Sequence, residues 1–256
     1  MEVTARRLEG KNALVTGAAK RIGRAVSLAL AREGANIALH YSSSEQEIAE
    51  LMAEIEGLGV KAVALRAELS DQGELEGLVE RAHEALGTIE ILVNNACIFP
   101  SDTLETVEFE GLERNLEINA WAPLVLTRAF AAQTARGHVV NLLDSRVGGF
   151  DRTHLSYILS KHVLAALTRM SALELAPGIA VNGIAPGLIL PPAGKDEEYV
   201  DRLAQTVPLK RRGAPEDIAA AAVFLVTSEF VTGETIYVDG GRHLKENAPD
   251  GPDRNK

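Results

Sequence analysis

The stretch that decides the fold runs Ala13-Leu14-Val15, then Thr16-Gly17-Ala18-Ala19-Lys20-Arg21-Ile22-Gly23, then Arg24 to Ala31. A short apolar run, a glycine turn and an amphipathic stretch follow one another, the order of a strand, a tight turn and a helix. Glycines at such a turn let backbone N–H groups approach an anionic group at the positive end of the helix dipole. They would equally serve a plain chain reversal. The spacing departs from the usual dinucleotide pattern: Gly17 and Gly23 lie six apart, and Arg21 stands where a middle glycine often lies.

Working outward, short apolar runs alternate with stretches of helical period. The strand candidates are Asn12–Val15, Asn36–His40, Lys61–Leu65, Ile89–Val93, His138–Leu143, Ile179–Gly183 and Thr235–Val238, and amphipathic segments such as Glu45–Glu56 and Leu75–Leu86 lie between most of them. This alternation predicts an α/β protein: a Rossmann-like, doubly wound parallel sheet of about seven strands flanked by helices. One domain over residues 1–245 accommodates it, with a flexible tail at Glu246–Lys256 that is rich in Pro, Asp, Asn and Gly. Residues 188–213 interrupt the rhythm with prolines, a KDEE run and KRR, and are expected to form a lid or substrate loop.

Composition narrows the function. The 256 residues are 46% apolar and 24% charged, enough to bury a sizeable core, and 26 basic against 36 acidic side chains leave a net charge of −10. That field repels phosphate backbones, so nucleic acid is not an expected partner. Cys97 stands alone, which excludes an internal disulfide and gives no support to a thiolate metal site. No metal is expected. The longest strongly apolar stretch, Ile218–Val226, is far short of the ~20 residues that cross a bilayer. The start, MEVTARRLEG, lacks the apolar core of a signal peptide, so a cytoplasmic protein with no membrane partner is expected.

Beyond the second strand, His40-Tyr41-Ser42-Ser43 stands where an acid would hold the ribose hydroxyls of NAD. Without a carboxylate to repel it, a 2′-phosphate is within reach of Arg21, His40 and the serine hydroxyls, which favours NADPH; a solvated strand end is the alternative. Glu68 would accept from an adenine amine or begin a helix. Tyr157 and Lys161 lie four apart on a helical segment and therefore share a face. A phenol, with a reference pKa of about 10, is a poor acid partner at neutral pH, and an ammonium beside it favours the phenolate. A surface pair would show the same spacing. The segment follows the fifth strand, whose end reads Asn141-Leu142-Leu143-Asp144-Ser145, and ligands of such sheets bind beyond the strand carboxyl ends. Pro123 crowds the carbonyl of Asn119 and supplies it no N–H, so a helix over Ile118–Phe130 is expected to open there; a packing kink is the other reading. Asn94-Asn95-Ala96, after the fourth strand, would offer amides at the same edge or cap a turn.

The set TGxxxxxG, NNA, a helical Asn, YxxxK thirteen residues after a strand-end polar group, and APG after the sixth strand resembles the short-chain dehydrogenase/reductases over about residues 8–244. The resemblance implies hydride transfer with a nicotinamide cofactor and usually a homotetramer. TGAAKRIG, His40 in HYSSS, Phe99 after NNACI and Asp144 in the place of the usual catalytic serine resemble the pteridine reductases; NGIAPGLIL and FVTGETIYVDGGRHL resemble the dihydromonapterin reductases of bacteria. This implies NADPH-dependent reduction of a pterin by Asp144, Tyr157, Lys161 and Asn119. Cofactor contacts would come from Gly17, Arg21, Ile22, Gly23, His40, Tyr41, Ser42, Ser43, Glu68, Leu69, Asn95, Ala96, Tyr157, Lys161, Pro186 and Gly187. Arg21, Cys97, Phe99, Asp144, Tyr157 and Leu188 would line the substrate site, Phe99 stacking on one face of the bicycle. Cys97 replaces a serine that commonly bonds the pterin, which weakens that bond. Burial beside the phenol is expected to raise the Asp144 pKa, so that either Tyr157 or Asp144 supplies the proton. Ser145 beside Asp144 keeps open a carbonyl or 3-oxoacyl thioester reductase, although the thirteen-residue interval to Tyr157 favours Asp144. A non-catalytic NADPH-binding regulator is the third reading.

Overall fold

The computed structural model describes residues 6–192, 194 and 196–245; the expected tail, Glu246–Lys256, lies outside the described residues. Strands β1 (Asn12–Val15), β2 (Asn36–Tyr41), β3 (Ala62–Arg66), β4 (Ile91–Asn94), β5 (Gly137–Leu142), β6 (Ile179–Pro186) and β7 (Thr235–Val238) form one sheet in the order β3-β2-β1-β4-β5-β6-β7. All the pairings are parallel. The chain winds outward from β1 in one direction, returns, and winds outward from β4 in the other. The turn leaving β1 therefore lies at the switch point of the sheet.

The strands are apolar on both faces because helices cover both. Ala13 and Val15 of β1 pack with Val93, Val140, Leu142 and the helices α1 (Arg21–Arg32), α2 (Glu45–Gly57) and α9 (Pro215–Val226). Leu14, one position out of phase, faces the opposite way with Leu92, Val139 and Val181. That second layer contains α3 (Gln72–Glu76), α4 (Leu78–Leu86), α6 (Ala122–Gln133) and part of α7 (Leu155–Leu175), with the fully buried Phe130 at its centre. No helix among the described residues is long and apolar enough to cross a membrane.

Three elements differ from their sequence reading for local reasons. The segment Leu75–Leu86 divides at Gly77 into α3 and α4, and α3 begins earlier because the Asp71 carboxylate caps it by accepting from the Glu74 N–H at 3.0 Å. The break expected at Asn119 takes the form of a π turn over Glu117–Trp121, following α5 (Phe109–Leu116), in which the Ala122 N–H reaches back to the Glu117 carbonyl. Pro123 is the second residue of α6, directly after that turn, so the N–H it lacks falls where the α-helical bonding pattern is already interrupted. The interval 188–213 carries a helix, α8 (Glu197–Ala204), started by the Asp196 carboxylate accepting from the Tyr199 N–H.

The turn between β1 and α1 is tightly packed. A Cβ placed on Gly23 would lie 2.2 Å from the Gly17 carbonyl oxygen and 2.7 Å from the Asn95 amide nitrogen. Gly23→Ala is expected to cost about 1–3 kcal/mol of stability, the usual consequence of overpacking, and urea denaturation checks it. An unchanged midpoint would mean that α1 slides without cost.

Candidate active site

A cleft of about 1540 Å³ opens along the carboxyl edge of the sheet, lined by the turn after β1, the ends of β4, β5 and β6, the start of α7, and α8. Most of the expected residues meet there: Gly17, Arg21, Ile22, Gly23, His40, Ser42, Glu68, Leu69, Asn95, Ala96, Cys97, Phe99, Asp144, Tyr157, Lys161, Pro186, Gly187 and Leu188 all line it. Tyr41 and Ser43 are not among the lining residues, and Asn119 is buried behind the wall.

At the glycine turn, Lys20 is the N-cap of α1 and places no side-chain acceptor over the first-turn N–H groups, and no acid occupies that turn. Arg21 adopts a left-handed φ of +56°, the conformation a glycine would adopt freely. Its guanidinium donates to the Pro191 carbonyl at 2.9 Å and so ties the turn to the 188–213 segment.

His40 does not present its ring to a phosphate. It is 2% exposed; the Gly17 N–H donates to its Nδ1 at 3.1 Å, and its Nε2 donates to the Ala67 carbonyl at 3.1 Å. Burial pushes its pKa down, so it stays neutral and braces the turn. Asn95 is engaged likewise, donating through Nδ2 to the Thr16 and Gly17 carbonyls at 2.8 and 3.0 Å. Glu68 is exposed and lines the cleft, the helix cap being Asp71 instead.

At the other end, β5 runs out to Asp144 and α7 carries Tyr157 back over it. The Tyr157 hydroxyl donates to Asp144 Oδ2 at 3.1 Å. Ser145 is 2% exposed and is not among the cleft-lining residues, which distinguishes it from its neighbour. The Lys161 ammonium is buried, donates to the Leu142 carbonyl at 2.6 Å, and stands 5.7 Å from the Tyr157 ring centre. Asn119 donates to Ser160 Oγ at 3.0 Å, and Ser160 Oγ in turn donates to the Tyr157 carbonyl, so the asparagine supports the helix that holds the tyrosine.

The protonation states reverse the expectation. Burial works to raise the Asp144 pKa, but the charge and hydrogen bonds of Arg146 outweigh it and hold the carboxyl below the usual carboxylate range. Tyr157 is pushed well above the ordinary phenol value, first by burial and then by the Asp144 charge. Asp144 is therefore an acceptor and Tyr157 a protonated donor. Lys161, held by the Leu142 carbonyl, does not bring the phenol down.

Arg146, Asp151 and His154 escaped the sequence reading. Arg146 pairs with Asp144 and with Asp151, and Asp151 accepts from His154 Nδ1 at 2.7 Å. The His154 ring stacks on Phe99 with centroids 4.2 Å apart, and Tyr157 meets the Phe99 ring edge-on at 4.5 Å. Phe99, at 37% exposure, thus has one face covered by imidazole. The signal was the run DSRVGGFDRTH, whose charges alternate just before Tyr157.

The family model described as enoyl-(acyl carrier protein) reductase matches residues 17–243. L-rhamnose 1-dehydrogenase (NAD(P)(+)) of Sphingomonas sp. (strain SKA58) is 34% identical over 250 residues, covering 93% of this chain and 98% of its own. The chain belongs to the short-chain dehydrogenase/reductases. The 3-oxoacyl-[acyl-carrier-protein] reductase FabG of Staphylococcus epidermidis is 32% identical, with 91% of this chain and 99% of its own covered. Among solved structures, FolM alternative dihydrofolate reductase 1 from Brucella canis, complexed with NADP, superposes with a TM-score of 0.90 at 33% identity over 98% of this chain and 100% of its own. This short-chain dehydrogenase/reductase therefore shares its fold with relatives that act on different substrates.

The neutral, buried His40 predicts a pH signature. As pH falls below about 6.5 the unfolded chain takes up a proton that the folded His40 refuses, so wild-type stability declines on that side. Against His40→Gln, the stability difference measured by urea denaturation is expected to shrink on acidification from about pH 7 to 5. A pH-independent difference would contradict the braced, neutral imidazole.

Proposed function

We propose that this oxidoreductase reduces a pterin, converting a dihydropterin to the tetrahydro form and accepting an oxidised pterin as well, with NADPH as cofactor. The observation that carries the reading is a carboxyl group, Asp144, gripped by the Arg146 guanidinium and bonded at 3.1 Å to the hydroxyl of Tyr157. Reduction of a ketone builds negative charge on an oxygen beside the phenol, and Asp144, an acceptor paired with Arg146, has no hydrogen to donate to that oxygen. A ring C=N bond that takes a proton on nitrogen passes toward a cation, which the same carboxylate stabilises.

The donor set fits a phosphorylated dinucleotide. The uncapped first-turn N–H groups of α1 suit a pyrophosphate, and Arg21 with Ser42 would hold a 2′-phosphate, without the help first expected of His40, Tyr41 and Ser43. Ala67, Glu68 and Leu69 would border the adenine, Asn95 would stand behind the pyrophosphate turn it braces, and Lys161 beside Tyr157 would serve the nicotinamide end. When bound, NADPH supplies the hydride. Tyr157 Oη holds the proton destined for the ring nitrogen, its bond to Asp144 keeps the phenol in place until the hydroxyl turns from the carboxylate to that nitrogen, and Phe99 offers an aromatic wall of the cleft. Cys97, exposed at the cleft, replaces a stronger hydrogen-bonding group with a weak one. Leu188, Leu190 and Tyr199 close the outer side. The exposed Leu159, Val163, Met170 and Leu173 of α7 fit the homotetramer that the family resemblance implies.

Side-by-side assays with NADPH, dihydrobiopterin and an acetoacetyl thioester test the reading. Asp144→Ser, whose hydroxyl can still bond Tyr157 and can donate to a carbonyl oxygen, is expected to lower pterin turnover by about a hundredfold while sparing thioester reduction; equal losses on both would contradict it. Phe99→Ala is expected to weaken pterin binding by about tenfold, the value of a lost aromatic stack. An unchanged KM for the pterin would remove Phe99 from the site.

A further inference from the structure

Arg146 grips Asp144 at three points: its backbone N–H and Nε donate to Oδ1 at 2.9 and 3.0 Å, and its Nη2 donates to Oδ2 at 3.0 Å. With the Tyr157 hydroxyl on Oδ2, every lone-pair direction of that carboxylate is engaged. The far side of the guanidinium pairs with Asp151, whose side chain is 2% exposed and whose Oδ1 also accepts from the Thr153 N–H and hydroxyl at 2.8 and 2.9 Å. Asp151 orients His154, and His154 lies flat on Phe99. The guanidinium itself stands 5.5 Å from the Phe99 ring centre and 5.9 Å from that of Tyr157. A buried arginine between two carboxylates is expensive to desolvate, and holding a surface loop needs no such arrangement.

We propose that Arg146 is a positioning residue that works in two directions at once: through Asp144 it holds the Tyr157 phenol in place, and through Asp151 and His154 it fixes the plane of Phe99. This rests on the reading of Tyr157 as proton donor, and it holds whether the substrate is a pterin or a carbonyl compound. The charged and titratable groups around the clamp are Arg146 and Arg242 facing Asp144, His154 and Arg146 facing Asp151, and Cys97, Asp144, Arg146 and Lys161 facing Tyr157. Without the guanidinium, Asp144 keeps its burial but loses its main counter-charge, so its protonation moves toward neutral pH and the hold on the phenol is lost.

The test measures kcat and KM against pH for the full chain with NADPH, on whichever of dihydrobiopterin and acetoacetyl thioester the wild type turns over. Arg146→Gln is expected to lower kcat about ten- to a hundredfold, part of the usual worth of a placed proton donor, and to move the acid limb of the kcat profile toward neutrality. Arg146→Lys, which keeps the charge but not the fork, is expected to recover part of kcat and a wild-type acid limb. Asp151→Asn leaves the grip on Asp144 and frees His154, so KM rises more than kcat falls. Wild-type kcat and pH dependence in Arg146→Gln would overturn the proposal. If that variant does not fold, wild-type kcat in Arg146→Lys overturns it instead. Failure of the wild type on the pterin would sink the substrate assignment alone, because the clamp is then read on the thioester.

Discussion

A carboxylate that remains charged while almost enclosed by protein is the constraint on which the site depends. Asp144 has 14% of its side chain exposed, and burial alone would drive it to the neutral acid. The guanidinium of Arg146 reverses that balance, and the consequence passes directly to Tyr157, whose hydroxyl has an anion to bond and whose own ionisation is thereby opposed. Acid and acceptor are thus assigned by charge placement: the phenol retains its proton until a substrate nitrogen takes it.

The fold delivers these groups by a simple route. A parallel sheet sends every strand end to the same edge, so Asp144 at the end of β5 and the turn after β1 open into one cleft. The first turn of α7 returns Tyr157 to that edge, and one turn later Lys161 reaches the Leu142 carbonyl below it. Much of the remaining polar inventory braces the edge. His40 and Asn95 hold the glycine turn from two sides, and the closeness of Gly23 to the Gly17 carbonyl shows how little slack remains.

The sequence disclosed the sheet and its order of elements because apolar strands and amphipathic helices alternate with distinct periods, and every strand appeared within a few residues of its reading. It disclosed Tyr157, Lys161 and Asp144 because their spacing is local and their place relative to β5 is topological. It misled at His40, where a ring that suits a phosphate is turned inward by two backbone partners that no local pattern shows. It left open which of Tyr157 and Asp144 holds the proton and misjudged the direction of the Asp144 pKa, since that depends on Arg146, only two residues past Asp144 but indistinguishable in sequence from a solvated surface arginine. Asp151 and His154 were missed for the same reason: their role exists only once Phe99, some fifty residues earlier, is stacked against the imidazole.

Proton delivery at this site turns on the ionisation of one carboxyl group, and infrared difference spectroscopy of the folded enzyme, wild type against Asp144→Asn, reads it directly. Across neutral pH the comparison is expected to show the antisymmetric stretch of a carboxylate assigned to Asp144 and no carboxylic-acid C=O band. A protonated C=O band that disappears in Asp144→Asn would contradict the account, returning proton donation to the acid and leaving the Arg146 clamp without a purpose.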